Sequence, residues 1–341
     1  MLAYLVRRFL LVIPTFIGIT LVIFAITRFV PGGPVERMLA ESQFVQEGAS
    51  QSQSVGDNSA LDEYQLAELN AFYGLDKPVL EAYWEWLNKL LTLDFGESTR
   101  YYEPVLDMIS ERLPVSLFYG GMTFVIAYLV SIPLGYYKAI KHNSAFDTAS
   151  SILIFVGYAL PGYVVGIFLL TVFSFHLDWF PMGGFTGSDY DDFTATEKIK
   201  DILWHAVLPL ICYIIGDFAT LTITMKNNLM ENLSADYIRT AIAKGLPFRD
   251  AVRKHAMQNS LIPLASHFGN SLLFFLSGSF LIEVIFNIDG IGLMGYESIM
   301  ERDYPVVMAI VAINAAMLLV GNIVSDICVA LVDPRVRFGE A

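Results

Sequence analysis

Residues Tyr237–Pro263 read YIRTAIAKGLPFRDAVRKHAMQNSLIP, a basic and closely punctuated segment, and the chain on both sides of it is apolar for about the length of a membrane crossing. Upstream, His205–Met225 holds one acid, Asp217; downstream, Leu261–Ile282 runs without a charged residue until Glu283. A helix rising about 1.5 Å per residue needs roughly 20 apolar residues to cross about 30 Å of hydrocarbon, so the basic segment joins two membrane spans. The same test, applied outward, finds Phe9–Thr27, Pro114–Tyr137, Thr148–Leu177 and Tyr304–Ser325, of which Thr148–Leu177 is long enough to tilt or to end in an interfacial turn. Composition agrees, with 55% hydrophobic and 16% charged residues and a mean hydropathy of +0.54, too apolar for an ordinary soluble enzyme. The expected fold is all-α: a polytopic membrane protein with six transmembrane helices and both termini on one side.

Lys and Arg near span ends mark the cytoplasmic side. Arg7 and Arg8, Lys138 and Lys141, the bases of the 226–254 region, and Arg335 and Arg337 all fall on one face, which is expected to be cytoplasmic. Most of the net charge of −13 then lies on the opposite face, which argues against a nucleic-acid partner. The first span is too long for a signal-peptide core, and RFVPGGPVE after it offers no small-residue cleavage site, so it is expected to be retained. Cys212 and Cys328 fall at different depths of different spans, so no disulfide between them is expected. The five histidines show no metal-ligand spacing.

The chain divides into a cytoplasmic N-terminus with the first transmembrane helix (1–30), a periplasmic insertion (31–112), a five-helix transmembrane core (113–331) and a cytoplasmic tail (332–341). Within the insertion Glu41–Ala60 is polar and aperiodic and is expected to be a mobile loop, whereas Leu66, Leu69 and Phe72, then Leu80, Tyr83, Trp84, Leu87, Leu90 and Leu91, recur at helical spacing. YGLDKP between those two patterns reads as a helix end and restart, with Gly74 near a C-cap, Asp76 as N-cap and Pro78 in the first turn. Two amphipathic helices on the outer membrane face satisfy the pattern. Their apolar stripes can pack on span ends, form a docking surface or an entrance wall for substrate, or do both.

The basic loop, 226–262, reads as two short helices. Ser234 is the expected N-cap of the first, Asp236 and Lys244 suit its dipole, Gly245 supplies a left-handed position and Pro247 stops continuation. In the second helix Phe248, Val252, His255 and Asn259 share one side, with Arg249, Arg253 and Lys254 away from it. Such an elbow suits either a cleft in a soluble cytoplasmic partner or an anionic lipid surface.

The residues DYIRTAIAKGLPFRDAVRKHAMQNSLIP (236–263) resemble the EAA loop of ABC-importer permeases, in the form found in the dipeptide, oligopeptide and nickel branch. The resemblance extends over the chain: RRFLLVIPTFIGITLVIF with PGGP, YWEWLNKLLTLDFGES, ERLPVSL and LIEVIFNIDGIGLMGYESIMERDYPV all resemble the B-type permease, and NIVSDICVALVDPRVRF resembles its Yej-type subgroup, which imports microcin C and small peptides. The resemblance implies an ABC type I importer permease fold and a coupling helix seated in the ATPase, a role carried by Asp236, Arg239, Ala241, Lys244 and Gly245. Ile242 departs from the pattern, where Arg is common, and Asp289 stands where Pro is common. The implied partners are a homologous second permease, ATP-binding subunits, a periplasmic solute-binding protein and a peptide substrate. The chain has no P-loop, so ATP and Mg are expected on the partner ATPase and no cofactor in this chain.

Ionisable residues inside spans are functional candidates. Asp217 can meet the amino group of a peptide in an aqueous path, or be a helix–helix hydrogen-bonding group or a hydrated residue near the cytoplasmic mouth. Glu283 matches the resembling motif and is expected to be a structural or gating part of the outer mouth. Asp326 reads as solvated, and His267 as a packing residue. An ion- or proton-coupled secondary transporter or channel using Asp217 and Glu283 is the alternative class, but leaves the elbow without a purpose. A membrane-embedded hydrolase fails for want of a nucleophile with its base, so no catalytic residue is expected.

Overall fold

The computed structural model describes residues 2–29 and 76–332, with all their side chains except those of residues 2–5, 270 and 273–277. Among the described residues all regular structure is helical, apart from one isolated bridge between Glu97 and Pro104. The helices are α1 (Leu2–Phe29), α2 (Val79–Leu91), α3 (Val105–Ile140), α4 (Ala145–Ala159), α5 (Gly162–Leu169), α6 (Ala195–Ser234), α7 (Asp236–Ala243), α8 (Phe248–Ala251), α9 (Met257–Ser260), α10 (Ile262–Ser277), α11 (Phe280–Ile285), α12 (Ile291–Met300) and α13 (Tyr304–Val332). The expected Glu41–Ala60 loop, the Leu66–Phe72 helix, Gly74 and nearly all of the tail lie outside the described residues.

Among the described residues four helices are long and apolar enough to cross a membrane: α1 from Val6, α3, α6 and α13. The expected span Thr148–Leu177 is instead a broken pair, α4 and α5 with its π-helical extension Leu170–His176, bent by 97°. Pro161 holds Leu160 in extended backbone. Gly162 comes so close to α6 that a Cβ would lie 2.8 Å from the Cys212 carbonyl. The expected span Leu261–Ile282 is also interrupted: α10 has 16 residues and stops at Gly278, whose φ of 54° is left-handed. The count of six uninterrupted spans therefore differs from the structure, in which four helices qualify, or five with the bent pair taken as one.

The 40 residues of α6 start at a capping box, with Glu197 accepting from the Thr194 amide at 2.9 Å. At about 1.5 Å per residue it is roughly 60 Å long and outlasts any bilayer, so it carries the elbow beyond the hydrocarbon.

The chain forms two compact units, one of residues 1–11, 112–294 and 316–341, the other of 12–111 and 295–315. The first unit has two apolar cores. One joins Leu221, Met225 and Leu229 of α6 to Ala127 and Ala139 of α3, Leu264 of α10 and the elbow residues Ile238, Ala251, Val252 and Ala256. The other gathers Tyr119, Ala206, Leu208, Cys212, Ile282, Phe286 and Ile288. In this unit α10 and α13 touch backbone to backbone: a Cβ on Gly269 would lie 1.7 Å from the Gly321 carbonyl oxygen. Ser325 bridges the same crossing, accepting from the Gly269 amide at 2.8 Å and donating to Ser266 at 2.7 Å. In the second unit α2 buries Tyr83, Leu87 and Leu90, and Ser98 donates to the Asp303 carboxylate. Leu80, Trp84 and Leu91 of the expected stripe stay exposed. Asp76 does not cap α2, which starts after Pro78 with no side-chain cap; the fixed φ of proline opens the helix instead.

Candidate functional site

The elbow begins where α6 ends. Ser234 is the last residue of α6 and donates to the Glu231 carbonyl at 2.8 Å, so it is not the N-cap of α7. Ala235, in extended backbone, takes that position without a side-chain cap. At the other end Gly245 has φ 91°, its amide donating to Ile242 at 2.9 Å while Leu246 donates to Ala241 at 3.1 Å. That pair of bonds is a Schellman ending. Pro247 then sets the start of α8.

Of the five residues assigned to coupling, Asp236, Arg239, Lys244 and Gly245 are exposed, and Ala241 is half-buried against the elbow core. The Asp236–Arg239 pair, 3.9 Å apart and open to water, fixes little. Tyr237, Ile242 and Phe248 add exposed apolar surface beside them. The loop thus exposes a mixed charged and apolar face.

The second elbow helix buries a different side from the one its spacing suggests. Ala251, Val252, Ala256 and Ser260 face inward, whereas Phe248 and His255 are exposed and Asn259 is half-buried. A π-helical turn over Val252–Ala256 contributes to the change, because its wider winding rotates the residues after it, Asn259 and Ser260 among them, relative to a plain α-helix. Arg249, Arg253 and Lys254 are exposed, as their positions suggest.

Two sets of contacts fix the elbow to its spans. Ile238 of α7 is 1% exposed and sits in the core shared by α6, α3 and α10. Asn232 near the end of α6 uses both ends of its amide, its Oδ1 bonded to the Tyr237 hydroxyl and its Nδ2 donating to Ser260 at 3.1 Å; Asn259 donates to the same tyrosine at 3.1 Å. These contacts tie α7 to the end of α6 and to α9, which leads into α10.

A buried ionic cluster, not singled out from the sequence, lies where α3, α4 and α6 meet. Asp147 in the first turn of α4 takes Lys226 on both oxygens, at 2.7 and 2.8 Å, and Lys138 at 3.1 Å. Lys138, 1% exposed, also donates to the Asp147 carbonyl and to Ser150 and Ser151 at 2.7–2.9 Å. Both lysines read from sequence only as charges near span ends. The one local signal is the Ser144 cap, which accepts from the Asp147 amide at 3.3 Å and identifies the helix start rather than the ion pairs.

The membrane carboxylates separate into distinct environments. Asp217 is half-buried on α6 and makes no hydrogen bond among the described residues; His267 and Tyr128 lie within its electrostatic reach. Glu283 is 2% exposed and fully engaged: Oε1 accepts from Tyr213 and from the Ser279 amide, each at 3.1 Å, and Oε2 from the Leu293 amide at 2.6 Å. Gly278 and Gly290 press against it, since a Cβ on either would lie 2.1 or 2.7 Å from its carboxylate. It clamps the α10–α11 break to the start of α12. Asp326 is not simply solvated: Arg8 pairs with it at 3.0 Å, and its side chain is 18% exposed. Cys212 and Cys328 are both free thiols.

The family described as binding-protein-dependent transport system inner membrane component matches residues 131–338, a range that contains the elbow, Asp217 and Glu283. The chain is 39% identical to the inner membrane ABC transporter permease protein YejB of Escherichia coli O157:H7, over 98% of this chain and 99% of the relative. It is 36% identical to the peptidoglycan transport system permease protein YejB of Agrobacterium fabrum, over 98% of each. To the oligopeptide transport system permease protein AppB of Bacillus subtilis it is 34% identical, over 99% of this chain and 100% of the relative.

Proposed function

From the premise that the chain belongs to the binding-protein-dependent transport system inner membrane components, we propose that it is the permease subunit of an ATP-driven importer of short peptides or peptide-like compounds, microcin C-like ones included. It lies in the bacterial inner membrane as six spans, two of them interrupted, with both termini cytoplasmic. It forms half of a translocation path with a homologous second permease and receives substrate from a periplasmic solute-binding protein. ATP and Mg belong to the partner ATPase, and this chain performs no covalent chemistry. The oligopeptide and peptidoglycan names of two of the relatives support that substrate class.

The observation that carries this reading is the elbow: an exposed α7 whose firm attachments, among the described residues, run into the ends of α6 and α10. ATP binding closes the nucleotide-binding subunits, α7 moves with them through Asp236, Arg239, Ala241, Lys244 and Gly245, and the attached spans shift between inward- and outward-open states. ATP and the loaded binding protein act because each favours one state over the other. Asp217, which makes no hydrogen bond among the described residues, lines the path and meets a cationic substrate group. Glu283 holds the outer mouth in shape. The test is uptake of a labelled tripeptide by proteoliposomes carrying the whole complex, with ATP inside and the proton gradient collapsed. Continued uptake supports an ATP-driven importer, and uptake that stops with the gradient while ATP persists favours an ion-coupled carrier.

A further inference from the structure

The 13 residues of α2, projected at about 3.6 residues per turn, fall into three arcs. Tyr83, Leu87 and Leu90 face inward and are buried. Glu81, Glu85, Asn88 and Lys89 form an exposed polar arc on the far side. Between the two lies an exposed apolar flank of Leu80 (65%), Trp84 (52%) and Leu91 (70%). Among the described residues nothing in this chain covers that flank.

Contacts with α1 fix the depth of α2. Arg28, one residue from the end of α1, donates to the Lys77 carbonyl at 2.6 Å just before α2 begins. The Trp86 ring lies 5.7 Å from that of Phe24, and the Tyr83 hydroxyl reaches down to the Ile17 carbonyl at 3.1 Å and to Thr20 at 2.9 Å. The 28 residues of α1 amount to about 42 Å at 1.5 Å each, close to the 40–45 Å of a bilayer with its headgroups. Phe24 to Arg28 therefore mark the boundary between acyl chains and headgroups, and α2 lies against them. Over the same depth α1 itself exposes Val22 and Ile26, so hydrocarbon already borders this unit there.

We propose that α2 is an interfacial helix whose Leu80, Trp84 and Leu91 flank is seated in the lipid of the leaflet at the C-terminal end of α1. A polar arc in water, an apolar flank rotated from it by about a quarter turn and a tryptophan at the boundary are what that position requires. The flank is then neither a docking surface for a soluble protein nor an entrance wall for substrate. The assignment needs only that α1 crosses the bilayer, so it stands or falls independently of the substrate and of ATP coupling.

The test uses the full chain, copurified with its transport partners, in nanodiscs of phosphatidylethanolamine with a minority of phosphatidylglycerol. Nitroxide labels are placed singly through Leu80→Cys, Trp84→Cys, Leu91→Cys and, as the aqueous reference, Glu85→Cys, in a Cys212→Ala, Cys328→Ala background, and collision with oxygen is compared with collision with a nickel chelate. Oxygen several-fold ahead of the chelate at 80, 84 and 91, with the reverse at 85, is the expected result. Chelate ahead at 80 and 84 overturns the proposal in favour of a water-facing docking surface. Low collision with both reagents at all three flank sites overturns it in favour of protein cover, such as the second permease. Three separate flank positions keep the test decisive if one variant fails to assemble.

Discussion

Replacing Glu283 with glutamine changes one atom and separates a structural clamp from a ligand contact. The carboxylate is buried and accepts three bonds, from Leu293, Ser279 and Tyr213, at 2.6, 3.1 and 3.1 Å. Glutamine offers one acceptor oxygen and turns a donor NH2 toward the other side. If that oxygen stays with Leu293, the Tyr213 hydroxyl can rotate to accept, but the Ser279 amide cannot. It keeps only its longer bond to the same tyrosine oxygen, at 3.3 Å. Losing the charge-assisted bond from Ser279 costs about 1.5–3 kcal/mol, and the bonds that survive lose their charge assistance, so Glu283→Gln should weaken the clamp by about 3 kcal/mol. That corresponds to an increase of roughly 100-fold in local opening. Hydrogen exchange on the assembled complex should then accelerate by about that factor across residues 278–294 and leave the elbow unchanged. Unaltered exchange would refute the clamp, and unaltered exchange with lost substrate binding would place Glu283 in the substrate path instead.

Other substitutions probe the remaining contacts. Asp147→Asn leaves Lys138 and Lys226 without their counter-charge and should cost about 3–5 kcal/mol, read as a lower midpoint of thermal unfolding, with the double variant Asp147→Asn, Lys226→Met partly restored. Gly269→Ala forces α10 and α13 apart and should cost about 1–3 kcal/mol or more, read by the same unfolding measurement, whereas Gly18→Ala, which meets nothing within 4 Å, should be neutral. At Gly245 the space is open and only the backbone resists. Gly245→Asn should therefore retain most ATPase coupling, and Gly245→Val should lose it through the left-handed penalty of about 1–2 kcal/mol or more, measured as substrate-stimulated over basal hydrolysis.

The features legible in the sequence are those that depend on local physics. Apolar length identifies α1, α3, α6 and α13, and the Gly245–Pro247 punctuation predicts a helix ending that the structure shows bond for bond. The breaks at Pro161 and Gly278 are harder to see, because each sits inside an apolar run whose hydropathy does not register a turn. Gly162 and Gly278 are needed for close approaches to the Cys212 carbonyl and to Glu283, contacts that apolar periodicity does not encode. The Asp147 cluster is hidden for a similar reason: Lys226 is 79 residues from its partner. The rotated face of the second elbow helix comes in part from a π turn that no 3.6-residue periodicity can announce.

The most direct measurement of the central claim is ATP hydrolysis by the complex that copurifies with this chain, in nanodiscs, with and without binding protein loaded with short peptides. An ATP-driven importer coupled through the elbow requires hydrolysis that rises with the loaded binding protein and loses that rise when the exposed Lys244 is changed to Glu. A well-folded chain that brings down no ATPase, or hydrolysis indifferent to both the loaded protein and Lys244→Glu, would contradict it.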